Sequence, residues 1–141
     1  MVVSPPLGRR PLRTEVRGTL LLDHCVSPDG TAAGLRSAEV VLRMSGLASC
    51  NGVRDVTGSG RVTWYRTAYR GGPPWGTSEL GVAARVDDWS AAGPLPTIQV
   101  RSGPLSGHTV TVGTVGTPRM MHCSTQGVGS LAGSFRVSVR R

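Results

Sequence analysis

Glu39-Val40-Val41-Leu42-Arg43-Met44-Ser45 is the stretch on which the reading of this chain turns. Side chains two residues apart share one face of a strand, so Val40, Leu42 and Met44 form an apolar row opposite Glu39, Arg43 and Ser45. The same period recurs outward along the chain. Val62 and Trp64 alternate with Arg61 and Thr63, and Leu80, Val82, Ala84 and Val86 with Glu79, Gly81, Ala83 and Arg85. Ile98 and Val100 stand against Gln99 and Arg101, and Val110 and Val112 repeat the row. Leu131, Phe135, Val137 and Val139 face away from Ser134, Arg136, Ser138 and Arg140. Glu15 to Leu22 alternates more weakly and ends in Leu20, Leu21 and Leu22, which predicts burial on both faces there. No stretch carries the three-and-four spacing of an amphipathic helix, so little helix is expected.

Turn chemistry separates these rows. Pro28, Asp29 and Gly30 predict a turn in which proline presets φ and glycine supplies a positive one. Asn51 and Gly52 fit a tight type I′ hairpin. Gly71 to Gly76, with Pro73, Pro74 and Trp75 inside it, and residues 91–96 interrupt the strands, and residues 102–107 form a longer hairpin loop. Short strands spaced in this way predict an all-β fold: an antiparallel β-sandwich, or a small closed barrel, of about seven or eight strands. The chain has 141 residues, enough for one domain with a real core. That domain is expected over residues 13–141. Residues 1–12, with Pro5, Pro6, Pro11, Arg9 and Arg10, read as a flexible Pro/Arg-rich arm.

No run of apolar residues is long enough for a membrane-spanning helix, and Met1 to Arg10 contains no continuous apolar stretch of the secretory kind. The formal net charge is +8, which ordinarily points to a polyanion partner. All sixteen basic residues are arginine, while Asn, Ile and Phe occur once each, usage that also fits GC-rich codon bias. Arg17, Arg43, Arg61, Arg85, Arg101 and Arg136 all fall on the polar sides of their rows. If their strands share a sheet, they form an anion-binding face able to fork carboxylates or phosphates; the plainer reading is a solvated outer surface. Aromatic interleaving and helix-turn-helix or RNA-binding signatures are absent, so no sequence-specific nucleic-acid partner is expected.

Three cysteines allow three single pairings. Cys50 continues the inward row of Val40, Leu42 and Met44; a bond to Cys123 would close a loop of roughly seventy residues and contribute roughly 4 kcal/mol on the chain-entropy account. Cys25 to Cys50 is the main competitor, and in a reducing compartment all three would be thiols. His24 beside Cys25, and Met120, Met121, His122 and Cys123, offer soft ligands. Neighbours on a strand point to opposite faces, however, and no ligand spacing holds two on one side, so no metal and no cofactor is expected. Catalytic motifs are also missing. Gly58-Ser59-Gly60 is no nucleophile elbow, His24, His108 and His122 have no carboxylate at a telling spacing, and Asp87 with Asp88 reads as a solvated loop pair. The chain is therefore not expected to be an enzyme. Trp75 and Trp89 lie in the two irregular inserts, where they either bind a sugar or a partner's pocket or cap the sandwich.

The strings Ala48-Ser49-Cys50, Gly58-Ser59-Gly60-Arg61-Val62-Thr63-Trp64, Gly76-Thr77-Ser78, Ser102-Gly103-Pro104-Leu105-Ser106-Gly107 and the final Cys123 resemble a type of small exported all-β protein of high-GC Gram-positive bacteria. The likeness covers roughly residues 36 to 139. It implies a secreted sandwich with Cys50 bonded to Cys123. Function is then expected to be that of a non-enzymatic secreted binding or assembly module. It would act through loops, strand edges or the arm on a protein or an anionic cell-surface macromolecule, with oligomers allowed. A structural component of a particle or filament, of the phage decoration or tail type and so virion-borne, is the alternative. A small hydrolase is the second, and a cytoplasmic location the alternative to export.

Overall fold

The computed structural model describes residues 1–50, 52–84, 98–114, 123, 127–130 and 135–141. Its described elements are strands: β1 (Val2–Leu7), β2 (Leu12–Leu22), β3 (Ser37–Ser49), β4 (Gly52–Tyr65), β5 (Gly76–Ala84), β6 (Ile98–Ser102), β7 (Thr109–Thr114), β8 (Val128–Ser130) and β9 (Phe135–Arg140). They form one sheet in the order β8-β1-β2-β3-β4-β5-β6-β7-β9, and every neighbouring pair is antiparallel. The fold is all-β, as the alternation predicts, but a single sheet supplies both walls of the core.

Chain connectivity forces that sheet to curl. Nine strands laid flat put the two edges about 38 Å apart at the usual spacing of about 4.8 Å. Yet β8 and β9 lie at opposite edges, and the step from Ser130 to Phe135 spans at most about 18 Å of extended chain. The edges must therefore approach, and the apolar rows close on one another. Leu20 and Leu22 of β2 and Val137 and Val139 of β9 line one small apolar cavity, about 30 Å³, with Leu42, Leu80 and Val110. Its lining is wholly apolar.

The register shows how the interior is filled. Leu20 pairs with Val40 and Val40 with Val62, so three inward residues stand side by side. One row away, Leu42 faces Gly60 and Gly60 faces Leu80. A Cβ on Gly60 would lie 2.5 Å from Leu42 Cδ2 and 3.4 Å from Leu80 Cδ1, so the glycine makes room for both leucines. Large and small residues alternate across the row, which is how a curved sheet reaches close packing. Val40, Leu42, Val62, Trp64, Leu80, Val82, Ile98 and Val100 are all buried. Leu21 departs from the expectation of burial on both faces: it is exposed, since only the inner face of β2 meets the core.

The segment expected to be a flexible arm instead contains β1. Val2, Val3 and Ser4 pair with Arg17, Val16 and Glu15, and Val3 is buried. Composition misleads here because Pro5 and Pro6 fall in the irregular stretch between the two β1–β8 pairings, at Val2 and Leu7, where a missing N–H costs no ladder bond. The β3–β4 hairpin also differs by one residue from expectation: Ser49 pairs with Gly52, leaving residues 50–51 as the connection.

Cys50 and Cys123 are joined, with a Cα–Cα distance of 5.7 Å and a separation of 73 residues. Cys25 is free, and the strand between it and Cys50 is the reason. The Cys25 amide is fixed on the Arg36 carbonyl just before β3, while Cys50 follows the far end of that strand, roughly 40 Å away at ~3.3 Å per residue.

Candidate functional site

A meander sends alternate connections to the same end of the sheet. β2 ends beside the start of β3, β4 beside the start of β5 and β6 beside the start of β7, so residues 23–36, 66–75 and 103–108 form one rim. The disulfide belongs to the opposite end.

The rim is tied together from below. Trp64 is buried, and its indole N–H donates to Ser78 Oγ at 2.8 Å; the fully buried Ser78 hydroxyl donates to the Pro104 carbonyl at 2.7 Å. This relay fastens the 103–108 hairpin to β4 and β5. The Trp75 amide donates to the Trp64 carbonyl at 2.8 Å, closing the base of the 66–75 loop. The His24 amide donates to the Ala68 carbonyl and the Arg36 amide to the Tyr65 carbonyl, so the 23–36 loop is laced to its neighbour. Within it, the Asp29 carboxylate accepts from Ser27 Oγ and from the amide and hydroxyl of Thr31. Those bonds, the Thr31 amide first, hold its pKa below the ordinary carboxylate range. Gly30 follows with a φ of 77°, the turn that Pro28-Asp29-Gly30 predicts.

Large side chains are presented on this frame. Tyr69 is 65% exposed and Trp75 44% exposed. The Tyr69 ring meets His24 edge-on, with centroids 4.6 Å apart, and His24 itself occupies the left-handed region at φ 54°, which a non-glycine residue rarely adopts. The Arg66 guanidinium lies over the Trp75 ring, 5.4 Å from its centroid, within cation–π range. Asp23 and Arg70 form an ion pair between the two loops. The thiol of Cys25 is half-buried, and burial, with Asp23 nearby, pushes its pKa up.

Of the residues singled out from sequence, Trp75 is therefore on the rim, while Trp89 and Arg85 lie outside the described residues. The other arginines lie on the outer face of the sheet. Arg17 stands directly opposite Arg43, and Glu15 bridges both; these two hydrogen bonds hold the Glu15 pKa down. Arg61 pairs with Glu79 at 2.8 Å, and the Arg101 side chain lies across Gly81. Arg136 is exposed on β9, at the sheet edge. Two carboxylates thus engage three of these arginines.

Tyr69, Arg66 and His24 escape a reading by motif. The available signal is density: Arg66, Tyr69, Arg70 and Trp75 all fall between the end of β4 and the start of β5. Among the described residues no group of three or more His, Cys, Asp and Glu is placed to hold a metal ion, and no helix is long and apolar enough to cross a membrane. The chain matches no protein-family model, no curated protein and no solved structure.

Proposed function

We propose that this chain is a non-catalytic binding module that engages a macromolecular partner through the rim formed by residues 23–36 and 66–75. One observation carries the reading: two large aromatic side chains, Tyr69 and Trp75, stand in solvent on one short loop, each held by a named neighbour. Exposed aromatics on a pre-organised frame are the usual anchors of recognition, because little side-chain entropy is lost when they bind. The Cys50–Cys123 bond fits work in an oxidising, extracellular compartment. With Val2–Leu7 committed to the sheet, the rim is a better candidate than the N-terminal segment.

The test is cross-linking of the intact chain, carrying a photoreactive group at the exposed Val26, to the envelope fraction of the cells that make it. Substituting Trp75→Ala and Tyr69→Ala together should abolish the cross-linked species while leaving the far-UV spectrum and melting temperature unchanged. An undiminished pattern in that folded variant would remove the rim from the binding surface.

A further inference from the structure

The surroundings of Trp75 narrow the class of ligand. Its neighbours in the loop are Gly71, Gly72, Pro73 and Pro74, and a Cβ built at Gly71 or Gly72 would touch nothing within 4 Å. Among the described residues, nothing stands over that stretch of the loop. An open, half-exposed ring suits a thin ligand with a flat C–H face, which is what a pyranose ring offers.

Charge decides what that sugar carries. Across the rim, Arg36, Arg66 and Arg70 face Asp23 and Asp29, a surplus of a single positive charge. Asp23 is committed to Arg70 and Asp29 to its own turn. Arg66 has no acidic ion-pair partner among the described residues, and its guanidinium is held against the indole. One free fork beside one flat apolar face matches a monosaccharide unit with one negative group, since guanidinium pairs bidentately with planar or tetrahedral oxyanions. A nucleic acid, with a phosphate at every nucleotide, calls for a run of uncommitted cations, whereas among the described rim residues only Arg36 and Arg66 lack an acidic partner, Arg70 being paired with Asp23.

We propose that Trp75 and Arg66 form a subsite for one acidic sugar residue of a polysaccharide. The open part of the indole packs on the sugar's C–H face and the Arg66 guanidinium pairs with its carboxylate or sulfate. This assignment rests on the rim being the binding surface and names its ligand.

Calorimetric titration of the intact protein tests it with four probes: a galacturonate hexamer for carboxylate, a heparin-derived hexasaccharide for sulfate, cellohexaose as the neutral sugar and a twelve-residue oligothymidylate. At least one acidic hexasaccharide should bind, about tenfold tighter than cellohexaose. Trp75→Ala should weaken it by about tenfold, and Arg66→Gln by about fivefold with a shallower salt dependence. Arg43→Gln, on the outer face, should leave it unchanged. The proposal is overturned if neither acidic probe binds at millimolar concentration, if cellohexaose or oligothymidylate binds as tightly, or if Arg43→Gln costs as much as Arg66→Gln. Should cross-linking at the rim depend on Trp75 and Tyr69 while both acidic probes fail, the ligand class is wrong and the rim stands. Should the cross-linking be insensitive as well, both readings fall.

Discussion

Replacing Ser78 with alanine tests whether the buried relay beneath the rim holds the loops to the sheet. Ser78 Oγ accepts from the Trp64 indole and donates to the Pro104 carbonyl. Ser78→Ala deletes both bonds and leaves a donor and an acceptor without partners, with Trp64 only 6% exposed. Each lost hydrogen bond is worth about 1 kcal/mol, and an orphaned buried group costs about 1–3 kcal/mol, so a loss of about 2–4 kcal/mol is expected. Trp64→Phe removes the donor itself and leaves Ser78 bonded to Pro104, so its cost, mostly packing, should be about 1–2 kcal/mol. In the double variant no indole N–H remains to be orphaned. The combined loss should therefore fall short of the sum by about 1 kcal/mol. Urea unfolding followed by far-UV circular dichroism reads all three, and the Ser78→Ala midpoint should drop by about 1–2 M at an unchanged slope. A Ser78→Ala cost under about 0.5 kcal/mol, or strict additivity, would refute the reasoning.

Two further outcomes are expected. Gly103 has φ 82° and its Cβ would lie 2.1 Å from the Thr77 carbonyl oxygen, whereas Gly107, at φ 85°, opens onto free space; Gly103→Ala should therefore cost more than about 2 kcal/mol and Gly107→Ala only about 1 kcal/mol, as measured by thermal melts. The Cys25 thiol, its pKa raised by burial and then by Asp23, should react with iodoacetamide at pH 8 more slowly in the native than in the unfolded protein. Because the folded pKa is the higher one, the associated stability is fully present below the unfolded value and lost as pH rises through the folded value. Wild-type protein should accordingly lose stability in the alkaline range relative to Cys25→Ser, and equal labelling rates in the two states would contradict the burial.

Alternation in the chain is enough to specify strands and their inner faces, because a period of two is a local property of extended backbone. Val40, Leu42, Val82 and Val137 were assignable to the interior by that rule alone, and the structure places all four on its inner face. Pairing of Cys50 with Cys123 could not be read from spacing. It depends on which ends of the sheet the cysteines reach, and β3 separates Cys25 from Cys50 by its full length. Likewise β1 stayed illegible, since prolines are excluded from a sheet only where a ladder bond is needed, and the ladder is irregular between Val2 and Leu7.

Local sequence thus determined that this protein is built of antiparallel strands with an aliphatic inner face and polar connections. Tertiary structure alone decided that they form one curled sheet, that Val2–Leu7 joins it, and that Arg66, Tyr69, Trp75 and His24 meet at one rim. The physical reason is range: side-chain direction follows from neighbours in the chain, whereas curl, edge pairing and the meeting of loops depend on closing contacts between residues far apart in sequence.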